Sequence, residues 1–211
     1  MQTLILTIGG IFWLLAYILI ISRGYKDKTY GMPLFALCAN ISWEFVYSFI
    51  LPHSPPQLYI NYLWFGLDTI IVYQFLKYQK NEFPHISPSK IYIAFGLLVI
   101  TAFGVISFGG LFLGDNIGVF SAFGQNLLMS ILFVMMFFNR GKSLRGQSIF
   151  IAIFKMIGTG LTSIHFYLYE PVTQDYVVLP ILYIEIFVFD IFYIMLLYNG
   201  YKKNHIPILK A

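Results

Sequence analysis

The sequence predicts an all-α membrane protein: seven transmembrane helices in one bundle, the N-terminus outside or lumenal and the C-terminus cytoplasmic. Three observations lead there. Of 211 residues, 59% are hydrophobic and 10% charged, where a soluble domain is nearer a quarter charged; too little polar surface remains to face water. Apolar windows of about 20 residues, long enough to cross a bilayer, recur near 3–22, 31–50, 57–78, 91–112, 117–139, 147–169 and 177–199. Twelve of the thirteen Lys and Arg fall on one side of the resulting alternation, as the positive-inside rule requires.

The first window starts at residue 3 without a basic stretch before it, so it reads as a span rather than a cleavable signal. Arg23, Lys26 and Lys28 follow it. The second ends at the Pro52–Pro56 break, the third at Lys77, Lys80, the Pro84–Pro88 turn and Lys90. Gly114-Asp115-Asn116 separates spans four and five, and the segment from Gly141 to Gly146 separates five and six, with Arg140, Lys142 and Arg145 between them. Glu170-Pro171 stops the sixth span, and Lys202, Lys203 and Lys210 form the tail. These Gly- and Pro-rich breaks carry turn chemistry. The opposite loops hold only His53, Asp115, Glu170 and Asp175 as ionisable groups. No connection is long enough for a further domain, so residues 1–211 read as a single one.

A net charge of +4 does not imply a nucleic-acid partner when the basic residues sit at membrane edges. Cys38, the single cysteine, excludes an internal disulfide and reads as small apolar packing. No His and carboxylate constellation has metal-ligand spacing, and no nucleophile–base pair is legible. Gly158 and Gly160 read as close helix packing rather than a phosphate loop.

The informative residues are polar groups inside spans. An ionisable side chain at membrane depth costs several kcal/mol on insertion scales, roughly 2.5–3.5 for an Asp, and marks function by default. Asn40, Glu44 and Tyr47 share one helical face by i, i+4, i+7 spacing, with Trp43 beside them. They line a site or staple helices by hydrogen bonds; spacing leaves both open. Asp68 sits mid-span in the third helix, Gln125, Asn126 and Ser130 in the fifth, Lys155 and His165 in the sixth, Glu185 and Asp190 in the seventh. Glu44, Asp68 and Asp190 fall near the bilayer centre, Glu185 nearer its outer boundary. Glu185 and Asp190 point about 140° apart, so they do not share a pocket wall. A carboxyl group among apolar atoms favours its neutral form, which can donate a proton. Lys155 is expected to snorkel to the cytoplasmic interface, and His165 to be a packing residue. Trp43, Tyr47, Tyr73, Phe189 and Tyr193 place rings beside the acids, where their faces could stabilise a carbocation.

Lys26-Asp27 with Tyr30-Gly31-Met32, and then Asn40, Trp43-Glu44 and Val46-Tyr47, form an ordered set. Gln125 with Leu127-Leu128 and Ser130, Arg140-Gly141, Arg145-Gly146, Gly158-Thr159, Glu170 and Asp190 continue it. Together they resemble the signature of the small seven-helix membrane-bound terpene cyclases of fungal indole-diterpene and meroterpenoid pathways and some bacterial relatives. The resemblance implies that an acid protonates a terminal epoxide or alkene of a prenylated acceptor, and that rings close before a proton is lost. It implies Glu44 and Asp190 as the essential acids, with no metal or other cofactor. Asn40, Trp43, Tyr47, Asp68, Tyr73, Gln125 and Tyr193 are the candidate substrate-orienting residues, Asp68 being an acid outside the family pattern. The expected partners are a hydrophobic prenylated small molecule and membrane lipids, in the cell membrane of a bacterium or the endoplasmic reticulum of a eukaryote.

A second reading is a small carrier built as 3+1+3 spans. Leu67-Asp68 through Tyr73 resembles Phe189-Asp190 through Tyr193, and Arg23-Gly24 resembles Arg140-Gly141, as in a parallel repeat. Pro56-Gln57 lies in a loop rather than at a kink, which counts against it. A retinal protein needs a lysine in the seventh span for the Schiff base, and the absence of one there counts against that reading.

Overall fold

The structure, a computed structural model, describes residues 2–112 and 114–207; Lys210, counted above in the basic tail, lies outside them. Among the described residues every regular element is helical. Helix α1 runs Gln2–Asp27, α2 Leu34–Phe45 with a π-helical turn Val46–Ile50, α3 Gln57–Glu82 and α4 Pro88–Phe112. Then come α5 Val119–Asn139, α6 Ile149–Tyr169, the short α7 Pro171–Asp175 and α8 Val178–Lys203. Helices α1, α4, α5, α6 and α8 are long and apolar enough to cross a membrane. α2 with its π-turn is shorter, and α3 buries Asn61, Asp68, Gln74 and Gln79, which lowers its apolarity.

The long helices close a ring: α1 packs on α6, α6 on α8, α8 on α5, α5 on α2, α2 on α3 and α3 on α1. α4 lies outside the ring against α2 and α3. It exposes Ile93, Leu97, Ile100, Val105 and Phe108, a surface suited to hydrocarbon rather than water. The tightest approach is that of α1 and α6. A Cβ on Gly158 would stand 2.7 Å from Trp13 Cδ1 and 3.0 Å from the Gly9 carbonyl oxygen, so only glycine fits. Gly160 is different. A Cβ there would meet nothing within 4 Å, because this face of α6 opens on a groove beside α8.

One end of the ring is tied by charge. Glu82, at the end of α3, pairs with Arg140 at 3.2 Å and Arg145 at 2.9 Å. Asp27 pairs with Arg23 at 2.6 Å and accepts from the Gly146 amide at 2.7 Å. The basic loops after α1, α3 and α5 therefore meet at one end. Tyr30 is buried there beneath Arg140; burial pushes its phenol up to about 12 although the guanidinium opposes this.

Candidate active site

Five helices of the ring face a cavity of about 440 Å³, within the usual range for a small-molecule site. Helical periodicity decides which residues reach it. From α1 come Leu6, Gly10, Trp13 and Tyr17, spaced i, i+4, i+7, i+11 along one face. Asn40, Trp43 and Glu44 come from α2, Gln57 and Trp64 from α3, Ala122, Phe123, Gln125 and Asn126 from α5. Helix α6 adds Thr159, Thr162, His165 and Phe166; His53, Ser54, Ile117, Gly118 and Glu170 surround the mouth. The mouth lies at the end of the ring opposite the Arg–Glu ties, because α1 starts there and ends at Asp27.

Its deepest polar group is a cluster of four side chains. The Tyr17 hydroxyl donates to Glu44 Oε1 at 2.5 Å. Asn40 Nδ2 lies 2.9 Å from both Glu44 Oε1 and Asp68 Oδ2 and also contacts the Tyr17 hydroxyl oxygen. One amide nitrogen thus joins two carboxyl groups, both fully enclosed at 1% and 0% exposure. Gln125 Nε2 reaches Asn40 Oδ1 at 3.4 Å. Among the described residues, Glu44 Oε2 and Asp68 Oδ1 have no hydrogen-bond partner. Asp68 stands behind Asn40 and does not line the cavity. Three rings of the wall, Trp13, Trp43 and Trp64, are the only tryptophans of the sequence.

The wall near the mouth is built from backbone as much as side chains. Gly118, at φ +66°, caps α5, and a Cβ on it would stand 2.5 Å from the Tyr47 ring and 2.7 Å from Trp43 Nε1. Trp43 Nε1 donates to Gly118 O at 3.0 Å, and the Tyr47 hydroxyl to Asp115 O at 2.7 Å. The Asp115 carboxylate accepts from Phe120 N and Ser121 N, closing the start of α5 as a helix N-terminus favours. His53, stacked on Tyr47, uses both nitrogens: one with Ile117 O at 3.0 Å, the other with Asn61 Nδ2 at 2.9 Å. Burial lowers its pKa, against the opposing pull of Ile117 O and Asp115.

Several expectations are corrected by this arrangement. Tyr47 does not point at the acids. The helix widens over Val46–Ile50, with Leu51 N bonding Val46 O, and a π-turn breaks the α-helical alignment with Asn40 and Glu44. Tyr73 is 51% exposed with Lys77 over its ring; five residues past Asp68, it points about 140° away. Tyr193 is buried against Phe133 and donates to Gln147 Oε1 at 2.9 Å, away from the cavity. Lys155 does not snorkel. It is 2% exposed, and its Nζ lies 2.8 Å and 3.0 Å from the Asp190 carboxylate oxygens and 2.7 Å from Ser130 Oγ. An enclosed carboxylate gives the ammonium a better partner than a distant interface. His165, read as packing, lines the cavity.

Asp190 is not brought beside Glu44. Helix α8 packs behind α5 and α6, so Asp190 lines a separate cavity of about 280 Å³ with Gly160, Ser163 and Tyr183. Thr159 borders both spaces, and Lys155 Nζ sits 5.8 Å from the Trp13 ring centroid. Asp190 therefore communicates with the main cavity only through this wall. Glu185 is exposed on α8. Among the described residues, no group of three or more His, Cys, Asp or Glu is placed to hold a metal ion.

A family model of Pyr4-like transmembrane terpene cyclases matches residues 1–203. The chain belongs to this family. It is similar to asnovolin H synthase nvfL of Aspergillus novofumigatus, 35% identical over 71% of the chain and 63% of the relative. It is similar to terpene cyclase pyr4 of Aspergillus fumigatus, 30% identical over 76% of the chain and 68% of the relative. A Pyr4-family terpene cyclase, mfmH of Annulohypoxylon moriforme, is 44% identical over 36% of the chain and 32% of the relative. The chain thus spans from about a third to about two thirds of the length of these relatives. No solved structure matches it. A Pyr4-like chain is an integral membrane protein, and nothing in these comparisons supports the carrier reading.

Proposed function

We propose that the chain is a terpene cyclase in which Glu44 protonates the terminal epoxide, or alkene, of a prenylated acceptor held in the main cavity. One observation carries this: a carboxyl group at the bottom of a largely apolar cavity, oriented through one oxygen and with the other unpartnered. Tyr17 and Asn40 hold Oε1, which leaves Oε2 as the oxygen free to carry the proton. Two carboxyl groups joined by one amide in an apolar surrounding do not both ionise, and the Glu44–Asp68 pair keeps one proton between them. Transfer from Glu44 to the epoxide oxygen breaks the acid O–H bond as a C–O bond opens. An internal alkene then supplies electrons to the carbon left deficient. Successive closures move the positive charge along the chain until a C–H bond gives its electrons to the cation and its proton is lost, a proton returning to the Glu44 carboxylate, so the product is an isomer. The faces of Trp13, Trp43 and Trp64 stabilise the passing cation.

Asp190 acts from behind the wall. Lys155 points a positive charge toward Trp13, and an unneutralised ammonium there would repel the carbocation the ring faces. The Asp190 carboxylate cancels it. In this proposal the seven long helices all span the membrane, in one domain, with the Arg–Glu end cytoplasmic. The cavity then opens toward the lumen, and the hydrophobic substrate arrives from the lipid, in a fungal cell that of the endoplasmic reticulum.

The test is chemical. Membranes holding the protein are incubated with farnesyl-bearing phenols with and without a terminal epoxide, and products of unchanged mass and shifted retention are sought. Glu44→Gln and Asp190→Asn should each remove the isomer while the protein still folds; full turnover by both would sink the proposal.

A further inference from the structure

The mechanism above uses the bottom of the cavity and leaves its mouth without a task. His165 stands there, 4% exposed, with Nε2 3.3 Å from Glu170 Oε1. A carboxylate only accepts, so Nε2 carries the hydrogen, and in the neutral ring Nδ1 presents a lone pair. Among the described residues Nδ1 is buried without a partner. An enclosed acceptor left unpaired is destabilising, which a ligand donor would offset. His53 on the opposite rim makes the contrast, since both its nitrogens are engaged.

A second open acceptor lies deeper on the same wall. Asn126 turns its Nδ2 to Thr159 Oγ1 at 3.1 Å and leaves Oδ1 unpartnered among the described residues. Thr159 is six residues, about 9 Å, below His165 along α6. The α5 and α6 side of the cavity therefore offers unpartnered acceptors, while Trp64 on α3 holds, among the described residues, an unpartnered donor in Nε1.

We infer that His165, oriented by Glu170, forms a subsite at the cavity mouth for a hydroxyl donor on the head of the substrate. This deepens the cyclase reading and rests on it for the substrate's other end. The head hydroxyl donates to His165 Nδ1, Asn126 Oδ1 accepts from a second hydroxyl where the head carries one, and the prenyl chain runs inward to Glu44. An aryl methyl ether lacks the donor and leaves the nitrogen unpaired. A site built to bond a hydroxyl discriminates strongly against the analogue without one.

All three tryptophans line the cavity, so intrinsic fluorescence reports occupancy without turnover. The probes are a farnesylated phenol lacking the epoxide and its O-methyl ether, titrated into the full chain in lipid nanodiscs. Wild type should bind the phenol at least about tenfold more tightly than the ether. His165→Phe should bring the two within about twofold while leaving ether affinity unchanged, and Glu44→Gln should keep the wild-type preference. Equal binding by wild type, or a preference surviving in His165→Phe, overturns the subsite. Phenol preference with no isomerisation of the epoxide probe upholds the subsite and overturns the cyclase reading. Isomerisation without phenol preference overturns the subsite alone.

Discussion

Lys155 on α6 and Asp190 on α8 form a buried ion pair, Nζ to Oδ1 2.8 Å, with side chains 2% and 3% exposed. The pair is the contact across the seam that separates the second cavity from Trp13. Removing one member of such a pair strands the other charge, whereas replacing both with apolar groups does not. Lys155→Met should therefore destabilise the protein by about 3–5 kcal/mol, and Lys155→Met with Asp190→Leu should recover most of that. Thermal unfolding in detergent checks it. Because Asp190 serves the reaction by neutralising Lys155, the double variant has no charge left to cancel and should also recover the turnover that Asp190→Asn loses.

Asn40 bridges Glu44 and Asp68. Asn40→Leu leaves two carboxyl groups without their shared donor, at a cost of about 1–3 kcal/mol. Loss of a positioned general acid lowers rate by about 10²- to 10⁴-fold, so Glu44→Gln should fall at least that far. Asp68→Asn, which retains an acceptor for Asn40, should fall less. Turnover measured on the three variants at equal folded fraction gives the order.

Gly118 is the one position near the mouth where glycine is required twice over. Its φ of +66° disfavours a side chain, and a Cβ would strike Tyr47 and Trp43. Gly118→Ala should cost about 1–3 kcal/mol and weaken binding of any cavity ligand, read by unfolding and by tryptophan quenching.

His53 predicts an acid limb in the stability curve. Burial lowers its folded pKa below the ordinary 6.5, so the unfolded chain binds the proton more readily. Its contribution is complete above the unfolded value and declines as pH falls through it. His53→Gln, which keeps a donor and an acceptor, should flatten that limb. An unchanged curve would remove His53 as its cause.

Tyr73 and Tyr193 separate surface from core. Tyr73→Ala should change stability by no more than about 0.5 kcal/mol and leave turnover intact. Tyr193→Phe loses the bond to Gln147 and should cost about 1 kcal/mol.

The helical class and the polar inventory were legible in the sequence because both are local properties. Apolar length marks Gln2–Asp27 or Val178–Lys203 as a span-length helix whatever its neighbours are. Asn40 and Glu44 share a face because four residues make roughly one turn. The same arithmetic failed at Tyr47, where the i, i+4, i+7 rule assumes an unbroken α-helix and the chain widens into a π-turn. No local signal announced that.

Partners were decided by the tertiary structure alone. Sequence depth placed Glu44, Asp68 and Asp190 at one level, yet level says nothing of azimuth around the ring. Helix α8 packs behind α5 and α6, so Asp190 meets Lys155, while α3 turns Asp68 toward Asn40. His165 became part of the mouth because the loop after α6 returns Glu170 to its Nε2. What each acid touches is a relation between helices far apart in the chain, and hydropathy carries no record of it.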